Sequence, residues 1–265
     1  MIELILLLAG VCVLATIGRT NHPKLNSLKG WAYAHRGLHG NGLPENSMAA
    51  FRAALEGGYG IELDIHLTKD GDLAVIHDTS LKRTAGADVK ITDLTVDELK
   101  QYRLEGTGEQ IPLFHEVLDL YAGKAPLIIE LKADDNAEAL VDTAVKAMAG
   151  YSGPWCMESF DPRVVYALKK NHPGVIRGQL SYNYFAEKNN LHPVLKFLLA
   201  NNLLNFLTQP DFVAYNFYHR KDLPTNLLWQ KVWKVQGVSW TIRSQADFDT
   251  AVTEGWLPIF ENFKP

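Results

Sequence analysis

The stretch Gly60-Ile61-Glu62-Leu63-Asp64-Ile65-His66-Leu67-Thr68-Lys69-Asp70-Gly71-Asp72-Leu73-Ala74-Val75-Ile76-His77 alternates apolar and acidic residues and then turns back on itself. Side chains along a strand alternate between faces, so residues 59–65 read as a strand with Ile61, Leu63 and Ile65 on one face and Glu62 and Asp64 on the other. An apolar outer face with carboxylates behind it suits a barrel, in which the polar end of each strand points toward the axis. Residues 72–77 read as a second strand. The connection before it is far too short for a helical crossover, which makes it an antiparallel excursion. With Asp70-Gly71 as a two-residue turn, Lys69 faces Asp72, and the same count sets His77 opposite Asp64.

Outward from this hairpin, the chain of 265 residues alternates strand-like and helix-like segments without an internal repeat. Strand patterns fall at residues 31–35, 59–65, 126–131, 155–159, 175–180, 212–215, 238–241 and 257–260. Helical patterns between them include residues 47–56, 136–149, 162–171 and 245–254, with the clearest start at Asp161-Pro162, a cap followed by proline at the first helical position. Eight such units predict an α/β chain closed as a (β/α)8 barrel, and a barrel of this kind typically takes about 250 residues.

Apolar residues make up 47% and charged residues 21% of the chain, values that allow a large core and argue against disorder. A net charge of -4 without a basic run excludes a nucleic-acid footprint. Cys12 and Cys156 stand too far apart in sequence to support a disulfide scaffold or a cysteine metal site. Residues 4–17 are almost continuously apolar, with Glu3 before them and Arg19, Lys24 and Lys29 after. No basic stretch precedes the apolar run and no clear cleavage site follows it. Residues 1–20 are therefore expected to be an uncleaved single-pass anchor, residues 21–30 a linker and residues 31–265 the barrel. The basic flank predicts a cell-membrane protein with its body in the cytoplasm.

The chemistry collects at strand ends. His35-Arg36-Gly37 closes the first strand with an imidazole and a guanidinium whose planar fork suits a phosphate. Glu130 and Lys132 share a face of their strand, as Glu62 and Asp64 do of theirs. Unpaired carboxylates are costly to bury, so Glu62, Asp64 and Glu130 at neighbouring strand mouths imply a compensating cation, and hard oxygen donors suit Mg²⁺ or Ca²⁺. His39, Glu45, His66 and Glu158 rank below these, with His66 expected beyond the rim in solvent. Residues 194–207 carry more apolar side chains than one buried helical stripe needs. They are either packed under neighbouring segments or exposed to a lipid surface.

His35-Arg36-Gly37, Glu45-Asn46, Glu62-Leu63-Asp64, Lys69-Asp70-Gly71 leading to His77-Asp78, Glu130-Leu131-Lys132, Ser159-Phe160-Asp161 and Trp240-Thr241, in this order, resemble the glycerophosphodiester phosphodiesterase family. The resemblance implies a (β/α)8 barrel with a small insertion at residues 79–113. It implies one divalent cation on Glu62, Asp64 and Glu130, His35 and His77 as the acid/base pair, Arg36 and Lys132 on the phosphate, and Trp240 beside the glycerol. The expected reaction is hydrolysis of a glycerophosphodiester to glycerol 3-phosphate and an alcohol. Lysolipid diesters, or a catalytically inactive binding module, are the alternatives. Two positions depart from the family pattern: Arg243 stands where an asparagine often follows the Trp-Thr pair, and Asn262 where an aspartate is usual.

Overall fold

Eight strands pair in parallel, and the ring closes where the first strand meets both the second and the last. The computed structural model describes residues 10–134 and 136–265. The strands are β1 (Tyr33–His35), β2 (Gly60–Leu67), β3 (Leu73–Val75), β4 (Leu127–Leu131), β5 (Trp155–Ser159), β6 (Arg177–Ser181), β7 (Phe212–Asn216), β8 (Gln236–Ile242) and β9 (Leu257–Phe260). Around the ring the order is β1-β9-β8-β7-β6-β5-β4-β2, with β2 returning to β1 and β3 hung antiparallel on β2. Every strand expected from sequence is present.

The helices are α1 (Met48–Glu56), α2 (Lys82–Ala85), α3 (Val96–Leu99), α4 (Phe114–Tyr121), α5 (Ala137–Ala147), α6 (Pro162–Asn171), α7 (Pro193–Ala200), α8 (Asn205–Thr208) and α9 (Gln245–Thr253). Side-chain caps start the long ones: Ser47, Asn136, Asp161 and Ser244 each accept a backbone N–H from the first turn. Between α2 and α4, residues Leu81, Ile91, Leu94, Leu99 and Leu104 close a small core of their own over Ala74 and Ile76 of the hairpin. The insertion thereby sits on β3 and faces the same barrel end.

Inside the barrel, one inward-facing row changes character along its length. At the N-terminal ends of the strands it is apolar: Tyr33, Ile128, Cys156, Phe212, Val238 and Leu257 cluster with Leu25 and Leu28 of the preceding 3₁₀ turn. Leu28 is fully covered, a burial worth roughly 1.5–3 kcal/mol for such a side chain. Gly178 leaves room for the Phe212 ring, since a Cβ there would lie 2.1 Å from it. Two residues further along, the same row carries His35 on β1, Glu130 on β4 and Glu158 on β5, and that end is the mouth.

The hairpin register differs by one residue from the two-residue-turn expectation. Ile65 pairs with Val75, His66 with Ala74 and Leu67 with Leu73. Thr68 and Asp72 close a three-residue loop, with Thr68 N donating to Asp72 O at 2.8 Å and Gly71 at φ +86°. The Thr68 hydroxyl donates to Asp70 Oδ1 and accepts from Asp72 N, which stabilises the longer loop. Ile76, not His77, therefore lies against Asp64, with Ile76 N donating to Asp64 O at 3.0 Å.

The single-pass anchor expected over residues 1–20 is not supported, and with it fall the membrane helix and the cell-membrane placement. Residues 1–9 of that segment lie outside the described residues. Among the described residues no helix is long and apolar enough to cross a membrane. Within the described residues, helical backbone runs over residues 10–15 and gives way to a turn at Thr16. The chain then ties itself to the N-terminal face of the barrel. Arg19 pairs with Asp211 and donates Nη1 to Pro173 O at 2.8 Å, while Trp233 Nε1 donates to Val13 O at 2.8 Å.

Candidate active site

The polar mouth is assembled by register. His35 lies beside Glu62, and Asp64 beside Glu130, which lies beside Glu158. Glu62, Asp64 and Glu130 each present a carboxylate oxygen within 4.8 Å of the others. Glu62, Asp64, Glu130 and Glu158 are all buried, with only Arg36 and Lys132 as cations among them. Lys132 Nζ sits 2.6 Å from Glu130 and 3.0 Å from Asp64. Arg36 Nε lies 3.4 Å from Asp64, and its backbone N donates to Glu62 at 3.2 Å.

This imbalance marks the titrations. Burial, then Asp64 and Glu130, push the Glu62 carboxyl well above its ordinary range. Burial also raises Glu130 to about 7 in spite of Lys132, and raises Glu158. Asp64 goes the other way: burial is outweighed by Lys132, His77 and Arg36, with an added hydrogen bond from Asn46 Nδ2 at 2.8 Å. Four buried carboxylates against two cations leave an excess of negative charge. The three clustered oxygen donors therefore fit a hard divalent cation.

The two histidines are built alike. His35 Nδ1 lies 2.7 Å from Glu261 Oε2, and His77 Nδ1 lies 2.6 Å from Asp78 Oδ1. Burial lowers His35 although Glu261 opposes it, and lowers His77 to about 4 although Asp64 opposes it. Glu261 and Asp78 are held low in spite of burial, Glu261 by His35, His39 and Arg243 and Asp78, at about 2, by Arg83 and His77. An ionised carboxylate only accepts, so each neutral ring carries its proton on Nδ1 and leaves Nε2 free to exchange one.

Backbone geometry fixes the guanidinium. Arg36 and Asn46 both adopt positive φ, at +53° and +52°, and Asn46 N donates to Arg36 O at 2.9 Å. Such conformations cost about 1 kcal/mol or more away from glycine and are held by their surroundings. Gly37 follows at φ +79°, where a Cβ would come within 2.9 Å of Ala50.

His35, Arg36, Glu62, His77, Glu130, Lys132 and Trp240 all border one cavity of about 510 Å³. Asp64 lies beneath it, fully covered. All eight residues singled out from sequence are thus brought together. Trp240 packs edge-on to Phe160 at 5.5 Å, and Tyr182 joins them in an aromatic wall. His66 is not in solvent as expected. β2 runs on to Leu67, so His66 is buried inside the hairpin, with Nε2 3.1 Å from the His77 carbonyl oxygen.

Several residues of the mouth escaped sequence reasoning. Asp78 could have been found as the neighbour of His77. Arg83 has no such signal, yet it bridges Asp78 at 2.6 Å and Glu45 at 2.6 Å, and Glu45 in turn holds Arg36 Nη1 at 3.0 Å. Glu261 is held by Arg243 Nε at 2.6 Å, so the unusual Arg243 is tied to the residue next to the unusual Asn262.

A barrel mouth with clustered carboxylates, paired cations and two carboxylate-backed imidazoles has the groups to hold a divalent cation and to exchange protons with a bound molecule. The chain belongs to the glycerophosphoryl diester phosphodiesterase family, whose sequence pattern matches residues 35–263. It is 45% identical over 111 residues to a glycerophosphodiester phosphodiesterase of Bacillus altitudinis, covering 39% of this chain and 45% of that protein. The match thus spans less than half of that relative's length. A glycerophosphodiester phosphodiesterase 1 of Rattus norvegicus is 28% identical over 252 residues, 80% of this chain and 72% of its own. A lysophospholipase D of Rattus norvegicus is 39% identical over 116 residues, 39% of this chain and 36% of its own. Among solved structures, an Oleispira antarctica phosphodiesterase in complex with the product sn-glycerol-3-phosphate shares the fold, with a TM-score of 0.71 at 21% identity over 88% of this chain and 93% of its own.

Proposed function

We propose that this chain hydrolyses glycerophosphodiesters to glycerol 3-phosphate and an alcohol, with a divalent cation and His35 and His77 as the proton-transfer pair. The observation that carries the reading is the meeting of two carboxylate-backed imidazoles with a cluster of three carboxylates, two bordering one cavity and Asp64 beneath it. Glu62, Asp64 and Glu130 would hold the cation, which when bound supplies positive charge to the phosphoryl oxygens. Arg36 and Lys132 border the same cavity and bind the diester through charge-assisted hydrogen bonds. One imidazole Nε2 takes a proton from the attacking hydroxyl, and the other, which takes up a proton on Nε2 from solvent beside the anionic diester, gives it to the departing alkoxide. The aromatic wall of Trp240, Phe160 and Tyr182 packs against the glycerol carbons.

The test is release of glycerol 3-phosphate from glycerophosphocholine and glycerophosphoethanolamine, measured after chelation and again with Mg²⁺, Ca²⁺ or Mn²⁺. Turnover is expected only with metal. No turnover of any diester with any of the three would leave a binding module in its place.

A second reading, lysolipid diesters, is favoured by one observation. A groove of about 1030 Å³ lined by Tyr166 of α6, Leu195 and Leu199 of α7, and Leu204 and Leu207 shares one lining residue, Phe160, with the cavity of the mouth. The apolar residues of 194–207 divide: Val194, Phe197, Phe206 and Leu207 are exposed, Ala200 and Leu203 are buried, and Asn201, Asn202 and Asn205 are buried with them. A single acyl chain leaving the phosphate past Phe160 would lie in that groove. Leu195→Glu is expected to raise KM for lysophosphatidylcholine while leaving glycerophosphocholine turnover unchanged. An equal effect on both substrates excludes the groove.

A further inference from the structure

The second cluster of metal-ligating atoms lies on the outer side of His35, away from the three carboxylates. His35, His39 and Glu261 each offer a donor atom within 4.8 Å of the others. Glu261 Oε1 is engaged by Arg243, which leaves Oε2 between the rings, 2.7 Å from His35 Nδ1 and 3.7 Å from His39 Nε2. At 3.7 Å the latter is beyond hydrogen-bonding distance, and among the described residues the buried His39 Nε2 has no hydrogen-bond partner. The His35 and His39 rings meet edge-on with centroids 6.4 Å apart. The loop that carries His39 is fixed by paired bonds between Gly40 and Leu43, N to O at 2.9 and 3.1 Å.

We infer that His35, His39 and Glu261 form a second, softer metal site that takes Zn²⁺, and that filling it shuts the enzyme off. Zn²⁺ bonds of about 2.0–2.2 Å in a tetrahedron separate neighbouring ligand atoms by about 3.3–3.5 Å, close to the spacing between His39 and Glu261. Two imidazoles and one carboxylate match zinc, whereas the all-oxygen set of Glu62, Asp64 and Glu130 matches Mg²⁺ or Ca²⁺. Ligation at His35 Nδ1 uses that nitrogen's lone pair, so the ring's single N–H proton, now held on Nδ1 against Glu261, moves to Nε2 by exchange through solvent with no net release. Nε2, now the protonated nitrogen of the metal-bound tautomer, can no longer accept a proton. The inhibition rests on the proposed proton-transfer role of His35; the binding itself does not.

The experiment titrates Zn²⁺ into the full chain with Mg²⁺ saturating, following binding by calorimetry and turnover of glycerophosphocholine in parallel. His39→Ala and His39→Asn are compared with the wild type, their folding checked by circular dichroism. Wild type is expected to bind one Zn²⁺ and lose activity over the same concentration range. Both variants are expected to keep basal activity and to need at least about tenfold more Zn²⁺, the factor set by losing about 1.4 kcal/mol of binding. Co²⁺ in place of Zn²⁺ is expected to give intense visible absorption from tetrahedral coordination, lost in both variants. Equal Zn²⁺ affinity in wild type and variants, or release of Zn²⁺ by excess Mg²⁺, overturns the assignment. If no diester is hydrolysed at all, calorimetry and absorption still decide the site, while the functional reading alone fails.

Discussion

Glu261 reaches the mouth from the residue after β9, and in the proposed reaction it is a positioning residue that acts through His35. Its carboxylate fixes the Nδ1 proton, and Arg243 fixes the carboxylate. Glu261→Gln replaces an acceptor with an amide that can also donate, which frees the ring to choose the other tautomer. The expected result is a fall in kcat of about 10–100-fold with KM little changed, partly recovered in Glu261→Asp. Unchanged kcat in the glutamine variant would remove the role. The Glu261–His35 pair spans 226 positions, and no local pattern announces it. His35, Arg36, Glu62, Asp64, Glu130 and Lys132 were legible because each sits beside, or two away from, another chemical residue at a strand end. Strand parity alone then places them on one face.

At the level of elements, the insertion is more than a cover for the hairpin. Arg83 on α2 donates to Asp78 behind His77 and to both oxygens of Glu45 behind Arg36, so one side chain braces a histidine and a guanidinium together. Arg83 is half exposed, and its loss is expected to cost only about 0.2–1 kcal/mol of stability. Its effect on turnover should be larger, about tenfold or more in kcat for Arg83→Ala, because both partners lose their brace at once. Arg83→Lys is expected not to rescue, since an ammonium cannot span two carboxylates with a fork. Rescue by lysine would mean that charge alone suffices. The strands and long helices were readable because period and capping are local signals. The hairpin register was not, since the Thr68 hydroxyl bonds that select a three-residue loop are invisible to an Asp-Gly rule. The helix at residues 10–15 likewise stops where Arg19 finds Asp211, a tertiary partner that hydropathy cannot anticipate.

For the molecule as a whole, the carboxylates of the mouth set stability against pH and metal. Glu130 has an ordinary value of 4.5 that burial raises to about 7 in the metal-free fold. Below 4.5 the carboxyl is protonated in both folded and unfolded chains and costs nothing. Between 4.5 and 7 the unfolded chain ionises while the folded one keeps its proton, so the fold loses stability as pH rises; above 7 the cost is fully present. One pKa unit is about 1.4 kcal/mol, which puts that cost at roughly 3–4 kcal/mol at most. Glu130→Gln does not titrate and still accepts from Lys132. In the absence of metal the variant is therefore expected to equal the wild type near pH 4 and to exceed it in thermal midpoint by pH 8. Saturating Mg²⁺ should reverse the order, because the wild type gains RT ln(1 + [L]/Kd) and the variant, short of a ligand, gains less. Glu62→Gln and Asp64→Asn are expected to share the weakened Mg²⁺ affinity and to lose most activity, as read by calorimetry and turnover. Thermal scans of the chelated wild type and Glu130→Gln from pH 4 to pH 8, with and without Mg²⁺, decide the matter. A variant less stable than the wild type at pH 8 without metal would mean that Glu130 is held by Lys132 as a structural ion pair, not strained for a cation.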